Sequence, residues 1–414
     1  MMKNVCVVGL GYIGLPTASL LATRGYSVLG VDISRAVVDT INRGEIHIIE
    51  PELDVLVRSA VQSGNLRAAL APAQSDVFLI AVPTPTSAGH QPDLSYVEAA
   101  TRSIAPHVKP GNLVILESTS PVGTTETVVA EALRANGLKV GADVFVAYCP
   151  ERVLPGRILT ELIENDRVVG GVDAASTKAA VSFYETFVRG KILPTNSRTA
   201  EMVKLTENSF RDVNIAFANE LSLICEQESI DVWELIALAN HHPRVNILKP
   251  GPGVGGHCIA VDPWFIVSNA PKLARLIRTA REVNGSKPDW VVDRVAAAAA
   301  KRGKNVSIAC LGLAYKADIS DLRESPSVEI VHKLVKRGIG RVLVCEPYLP
   351  QHPEFQLVTL EEAVRQADII VVLVDHSPFR ALKQMDLSGK ELIDTPGMFA
   401  AANAEARHSA SGRR

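Results

Sequence analysis

NVCVVGLGYIGLPTASLLATRGYSVLGVD, Asn4 to Asp32, is the stretch on which the fold turns. Asn4 to Gly9 is a short β-branched run that opens into Gly9-Leu10-Gly11-Tyr12-Ile13-Gly14, and a small-residue helical stretch follows from about Leu15 to Arg24. Gly-x-Gly-x-x-Gly alone is a weak signal. A strand before it, a helix after it and a second strand, Ser27 to Val31, closing on a carboxylate supply the context of a dinucleotide fold. The first glycine allows the tight turn, the second lets a pyrophosphate approach the backbone, and the third packs helix on strand, while the helix N-terminus favours the anion. Asp32 is placed to accept hydrogen bonds from an adenosine ribose and to repel a 2′-phosphate. NAD is therefore favoured over NADP, with Arg35 as the nearby cation that argues the other way.

Outward from Asp32, strand and helix signals alternate, with apolar runs at Val77 to Val82, Leu113 to Leu116 and Val144 to Ala147. This is the pattern of a parallel sheet covered on both faces, and a first domain is expected over 1–198. Polar punctuation falls after the strands, where such sheets bind ligands: Pro83-Thr84-Pro85-Thr86, Glu117-Ser118-Thr119-Ser120-Pro121 and Cys149-Pro150-Glu151-Arg152. Each is also compatible with ordinary turn chemistry. From Thr199 to Gln227 the period becomes helical, with Met202, Leu205, Val213, Phe217, Leu221 and Ile224 at apolar positions. Lys204 and Asn208 share a face of that helix. They are either a solvated pair or, on a face turned toward a ligand, an ammonium and an amide aimed at charge developing on oxygen. Ala274 to Arg302 is rich in helix formers, with a break expected around Asn284-Gly285 and Pro288, and 199–302 reads as a central helical segment. Asn305 to Gly312 restarts the alternation, a helix is expected from about Pro326, and strands follow at Val342 to Cys345, Ile369 to Val374 and Leu392 to Asp394. This is a second, smaller domain over 303–400 without the full glycine fingerprint, and Lys316 and Arg323 at its first turn are suited to phosphate. A flexible tail is expected over 401–414. The fold class is α/β, with two Rossmann-like doubly wound domains joined by a central helical segment.

A chain of 414 residues with 47% hydrophobic content exceeds what one core supports, which agrees with several domains. Its 43 basic and 45 acidic side chains nearly balance, and without a basic run neither nucleic acid nor an anionic membrane is implied as partner. No apolar run approaches the roughly 20 residues needed to span a bilayer, and the first one reads as a strand rather than a signal peptide, so a cytoplasmic location is expected. Cys6, Cys149, Cys225, Cys258, Cys310 and Cys345 are scattered without CxxC pairs, which argues against zinc and against a disulfide framework. His241 and His242 are adjacent and lack a third ligand at suitable spacing, so no metal is expected.

Of the six cysteines only Cys258 sits among glycines, in GPGVGGHCIAVDP, Gly251 to Pro263. Gly251, Gly253, Gly255 and Gly256 exclude a regular helix or strand and let the backbone approach a ligand. A thiolate there can attack a carbonyl carbon, and Asp262 can orient water or take a proton. The bland alternative is a glycine-rich turn with an incidental cysteine. A dinucleotide domain together with a nucleophilic thiol narrows the chemistry. A simple alcohol dehydrogenase needs no nucleophile, and a thiol hydrolase needs no dinucleotide. A carbonyl held as a thiohemiacetal can be oxidised to a thioester that water cleaves to an acid.

Taken in order, GLGYIGLP, EST, CPER, KLTEN, GPGVGGHCIAVDP and DLRESP resemble the nucleotide-sugar 6-dehydrogenases, the UDP-glucose dehydrogenase superfamily, over almost the whole chain. Within it, TNSRTAEMVKLTENSFRDVNIAFANELSLIC and HPRVNILKPGPGVGGHCIAVDPWFIV resemble the bacterial branch that acts on UDP-N-acetyl-D-mannosamine. Val254 and Ala260-Val261 depart from the Phe and Pro-Lys common in the glucose branch. The resemblance implies two successive oxidations at C6 of a UDP-N-acetylhexosamine, consuming two NAD. It implies Cys258 as nucleophile, Lys204 and Asn208 as oxyanion stabilisers, and Asp262 in proton handling with Lys204. It also implies Glu151 as activator of water, with a hydrogen bond from Thr119. NAD would contact Gly9, Gly11, Tyr12, Ile13, Gly14, Asp32, Thr84 and Thr119. The sugar nucleotide would contact Glu151, Arg152, Leu154, Lys204, Asn208, Arg244, Gly255, Lys316 and Arg323. Arg244 would reach the neighbouring site of a homodimer formed through the central helices. Two rivals stand beside this. A hydroxyacid or 6-phosphogluconate-like dehydrogenase has no use for Cys258, and a non-catalytic nucleotide-sugar sensor has no use for thiol, lysine, asparagine and aspartate together.

Overall fold

The computed structural model describes residues 3–87, 89–154, 156–303 and 305–400. By contacts it divides into two compact units, residues 1–207 with 264–270 and residues 208–263 with 271–414. The division falls inside the helix Ser197–Gln227, between Glu207 and Asn208. The expected tail, 401–414, lies outside the described residues.

In the first unit the described residues form one sheet from β1 (Asn4–Val8), β2 (Ser27–Val31), β3 (Leu66–Ala69), β4 (Val77–Ile80), β5 (Leu113–Leu116), β6 (Phe145–Tyr148), β7 (Arg167–Gly171) and β8 (Ile192–Asn196). Their order is β3-β2-β1-β4-β5-β6-β7-β8, so the chain reverses direction of growth between β1 and β4. That is the switch point where such sheets open a crevice at the carboxyl ends of the strands. β1, β4 and β5 are buried along nearly their whole length, because helices cover both faces. Alternate residues feed the two cores: Val5, Val7, Leu79 and Ile115 on one side, Cys6, Phe78, Ile80 and Val114 on the other.

One expectation needs correction here. The sheet is not wholly parallel, since β7 pairs antiparallel with β6 (Ala147↔Gly171) and β8 runs parallel to β7. Among its described residues the segment linking β6 to β7 holds only the short helix Ile158–Glu164, and an apolar run such as Val168-Val169 carries no sign of its direction.

The second unit contains a sheet of β9 (Ser307–Leu311), β10 (Arg341–Cys345), β11 (Ile369–Val372) and β12 (Glu391–Asp394), ordered β10-β9-β11-β12 and parallel throughout. Its first turn repeats the geometry of the first unit's glycine turn. Gly9 has φ of 93° and Gly312 has 95°. The Gly9 amide donates to Val31 O at 2.8 Å, and the Gly312 amide to Cys345 O at 2.9 Å. The Leu10 amide donates to the Asp32 carboxylate at 3.1 Å, and that of Leu313 to the Glu346 carboxylate at 2.6 Å. The second domain thus keeps the Rossmann-like turn without its full glycine signature.

The helix Arg275–Arg302 runs unbroken through Asn284, Gly285 and Pro288, contrary to the expected interruption. Proline removes one helical hydrogen bond, the one to the Asn284 carbonyl. The helix is held there from outside: the Asn284 amide donates to Asp212 Oδ1 at 2.8 Å and accepts from Asn219 at 2.8 Å. Tertiary anchoring therefore overrides the local breaker. Among the described residues no helix is long and apolar enough to cross a membrane.

Candidate active site

In the first unit the glycine turn meets the requirements of a dinucleotide. A Cβ on Gly14 would lie 1.8 Å from Gly9 O, and one on Gly9 would lie 2.5 Å from Ala81 O, so both positions are closed by protein. A Cβ on Gly11 would meet no described atom within 4 Å, which leaves room there for a pyrophosphate. Tyr12 is exposed and Ile13 half-buried beside it. Asp32, at the end of β2, is oriented by the amides of Leu10 and of Ser34, the latter at 2.9 Å. These residues fit NAD. His47, which no sequence signal marked, faces Asp32; burial holds its imidazole below the usual value against the pull of that carboxylate.

Thr84 and Thr119 are half-buried on the loops after β4 and β5. The β5 loop is pinned to the long helix by Glu201, whose buried carboxylate accepts from the amides of Gly123 (2.6 Å) and Thr125 (2.8 Å) and from the Thr125 hydroxyl (2.6 Å). After β6, the loop carrying Glu151, Arg152 and Leu154 is held from several sides. Glu50 accepts from the amides of Gly156 and Ile158, each at 2.8 Å. Glu161 accepts from that of Leu154 at 2.8 Å. Arg152 pairs with Glu207 at 2.9 Å, and Leu154 is exposed. Lys204 Nζ donates to the backbone oxygen of Glu151 at 2.9 Å, so the structure brings these two predicted residues together through the main chain.

Glu151 itself is buried against Arg167, with Nη1 to Oε2 at 3.0 Å. Arg167 opens β7 and was invisible to the sequence reading. Burial opposes its charge, but the neighbouring Glu151 carboxylate outweighs that and keeps it protonated.

In the second unit Cys258 and Asp262 belong to one turn, in which the Asp262 amide donates to Cys258 O at 2.8 Å. Asp262 opens the helix Asp262–Asn269, and its buried carboxylate accepts from the Asn208 side-chain amide at 2.6 Å. Cys258 is half-buried, while the other five cysteines are buried. Burial pushes the thiol of Cys149 up to about 11 and those of Cys6, Cys310 and Cys345 up to about 12, which closes them to nucleophilic chemistry near neutrality.

The glycines of the thiol loop serve packing more than ligand approach. A Cβ on Gly255 would meet Glu324 O at 2.5 Å and Tyr315 Cβ at 2.6 Å, and one on Gly256 would lie 2.9 Å from the Tyr315 ring. The Gly256 amide donates to Arg323 O at 3.0 Å. The loop therefore sits on the first turn of the second Rossmann-like sheet. Arg323 grips Asp321 with its fork, Nε to Oδ1 at 2.9 Å and Nη2 to Oδ2 at 2.5 Å, while Lys316 and Arg244 are exposed.

The chain matches the sequence models of the UDP-glucose/GDP-mannose dehydrogenase family for the NAD binding domain over residues 3–188, the central domain over 198–286 and the UDP binding domain over 309–401. It is 57% identical over 411 residues to the NDP-N-acetyl-D-galactosaminuronic acid dehydrogenase of Ralstonia nicotianae, covering 96% of this chain and 97% of that one. It is 56% identical over 416 residues to the UDP-N-acetyl-D-mannosamine dehydrogenase of Escherichia coli K12, covering 96% and 99%. The solved structure of UDP-D-ManNAc dehydrogenase from Pyrococcus horikoshii superposes with a TM-score of 0.88 at 42% identity, covering 96% of each chain. With a fingerprint shaped for NAD, a half-buried thiol set in a turn with Asp262, and family matches along nearly its full length, the chain belongs to the UDP-glucose/GDP-mannose dehydrogenase family.

Proposed function

We propose that the chain oxidises C6 of UDP-N-acetyl-D-mannosamine from alcohol to carboxylate, through a thiohemiacetal and a thioester on Cys258, to supply an N-acetylmannosaminuronate donor for surface polysaccharide in the cytoplasm. The observation that carries this reading is the half-buried Cys258 in one turn with Asp262, which is itself bonded to Asn208. NAD, when bound, takes up the electron pair released at C6 in each of the two oxidations.

The protein's own groups do the rest. Gly9, Gly11, Tyr12, Ile13, Gly14, Asp32, Thr84 and Thr119 hold the cofactor. Cys258 adds its sulfur to the C6 aldehyde, and Lys204 and Asn208 stabilise the oxyanion. Asp262, acting with Lys204, receives the proton of the C6 hydroxyl. In the last step Glu151, with Thr119 lending a hydrogen bond, takes a proton from water as the oxygen bonds to the thioester carbon and Cys258 leaves as thiolate. Arg152, Leu154, Gly255, Lys316 and Arg323 bind the sugar nucleotide. The NAD domain occupies 1–198, the dimerising and catalytic segment 199–302 and the UDP-sugar domain 303–400. Arg244 completes the site of the second protomer in a homodimer, a reading supported by exposed Phe210, Phe217 and Ile224 at seven-residue spacing on the long helix.

The relative from Ralstonia favours a second sugar, the galactosamine epimer, on the same mechanism. The deciding experiment is NADH yield with limiting UDP-N-acetylmannosamine, UDP-N-acetylgalactosamine, UDP-N-acetylglucosamine and UDP-glucose in parallel. Two NADH per sugar from the mannosamine compound alone is expected. One NADH per sugar would remove the thioester route, and two from another sugar alone would move the substrate.

A further inference from the structure

Glu151 does not stand alone with Arg167. Arg167 is nearly sealed from solvent, with 4% of its side chain exposed against 7% for Glu151. Its guanidinium lies 5.1 Å from the centre of the Tyr184 ring, and its Nη2 donates to Leu162 O at 3.1 Å. The Tyr184 hydroxyl donates to Glu117 Oε1 at 2.7 Å, while Glu117 Oε2 is buried with no hydrogen-bond partner. Glu117 follows β5 directly, Tyr184 ends the helix Ala174–Tyr184 and Arg167 opens β7, so three rigid elements converge on the loop that carries Glu151. Arg167 thus pairs with Glu151 directly and reaches Glu117 through its field. A low-dielectric site does not hold both carboxylates ionised as readily as one.

We propose that Arg167, Glu117 and Tyr184 are positioning residues for Glu151, and that the protonation state of Glu117 sets how tightly Arg167 holds the Glu151 carboxylate and hence how freely that carboxylate meets the water of hydrolysis. The inference rests on the proposed role of Glu151 in thioester hydrolysis. While Glu117 is protonated, Glu151 is the one carboxylate drawing on the guanidinium, and the ion pair holds it against Arg167. Once Glu117 ionises, it competes for the cation and the hold on Glu151 loosens. The groups facing Glu117 are Tyr184, Arg167, Glu151 and Cys149. Burial keeps both the Cys149 thiol and the Tyr184 phenol neutral across the physiological range. Burial chiefly, with Glu151 adding and Arg167 and Tyr184 opposing, raises Glu117 to about 7, inside the working range of such an enzyme.

The test follows the covalent Cys258 adduct by intact-protein mass during turnover of UDP-N-acetylmannosamine with NAD, from pH 6 to pH 8.5. In the wild type, adduct decay is expected to quicken through a limb near neutrality. Glu117→Gln should abolish that limb, leaving decay at pH 8 about threefold or more slower than wild type and decay at pH 6 unchanged. Tyr184→Phe, which removes a donor to the carboxylate, should move the limb to higher pH. A purely structural role would lower thermal stability in both variants and leave the limb in place, and that result overturns the inference. Glu151→Gln is the control for the reading beneath it. Adduct accumulation there, with an unmoved limb in Glu117→Gln, sinks only the network. No adduct in Glu151→Gln overturns the hydrolytic role of Glu151 and the network with it.

Discussion

Gly11 and Gly14 show how two residues of one motif answer to different constraints. Gly14 is closed by backbone, with its missing Cβ 1.8 Å from Gly9 O, whereas Gly11 opens on empty space. Gly14→Ala should therefore force the turn apart and cost about 3 kcal/mol or more in stability, while Gly11→Ala should leave the melting temperature unchanged and weaken NAD alone. Thermal unfolding and NAD titration by fluorescence on the two variants check this. Equal loss of stability in both would show that the turn, not a ligand, explains Gly11. The motif residues were legible because spacing and residue type carry their own stereochemistry, as Asp32 at the end of β2 illustrates. Arg167, Glu117 and Tyr184 were not legible. A lone arginine at a strand start and a tyrosine at a helix end carry no local signature, and only the fold brings them within 3.0 Å of Glu151 or one hydrogen bond of each other.

At the scale of the element, the helix Arg275–Arg302 meets the second half of Ser197–Gln227 across a buried polar seam. Arg281 pairs with Asp212 at 2.6 Å, Asn284 bonds Asp212 and Asn219, and Lys287 donates to Ser222 Oγ at 2.8 Å. Asn219 also accepts from the Gly251 amide at 2.9 Å, so the seam anchors the start of the thiol loop. A hydrophobic period cannot reveal such a seam, because it marks apolar positions only. This is why the helix was readable and its register against its neighbour was not.

Lys287 sits 2% exposed with its ammonium 3.8 Å from the centre of the Trp290 ring, beside a cavity of about 280 Å³. Burial, with repulsion from Arg294 and against attraction from Glu226, lowers it from 10.5 to about 7. Between those values the unfolded chain binds the extra proton, so stability rises with pH from about 7 to 10.5, and the penalty is fully present below about 7. Lys287→Met should consequently be more stable than wild type at pH 6.5, by about 3 kcal/mol after loss of the Ser222 hydrogen bond, and the gain should vanish by about pH 10.5. Urea denaturation at the two pH values measures it. A destabilised variant at pH 6.5, or a gain independent of pH, would show that Lys287 is better accommodated than its burial implies.

For the whole molecule, the two sheets were legible because each begins with the same device, an apolar run ending at a glycine turn with a carboxylate closing the next strand. Asp32 and Glu346 accept equivalent backbone donors. What the sequence pattern described ambiguously was the outward face of the long helix. Phe217 and Ile224, taken as markers of helical period, are 52% and 49% exposed, and Phe210, seven residues before Phe217, is 67% exposed. An apolar stripe at heptad spacing that a single chain leaves in water has the character of an isologous interface, in which each residue counts twice. Removing one buried Phe from each of two protomers forfeits about 2–3 kcal/mol per side chain, and a buried carboxylate adds to that. Phe217→Asp should therefore dissociate the proposed homodimer at micromolar concentration, as sedimentation equilibrium would register, with the circular dichroism spectrum unchanged. Because Arg244 is proposed to complete the neighbouring site, turnover should fall together with dimer mass and recover at high protein concentration. A dimeric Phe217→Asp protein would place the interface elsewhere, and a monomer with full activity would remove Arg244 from the neighbouring site.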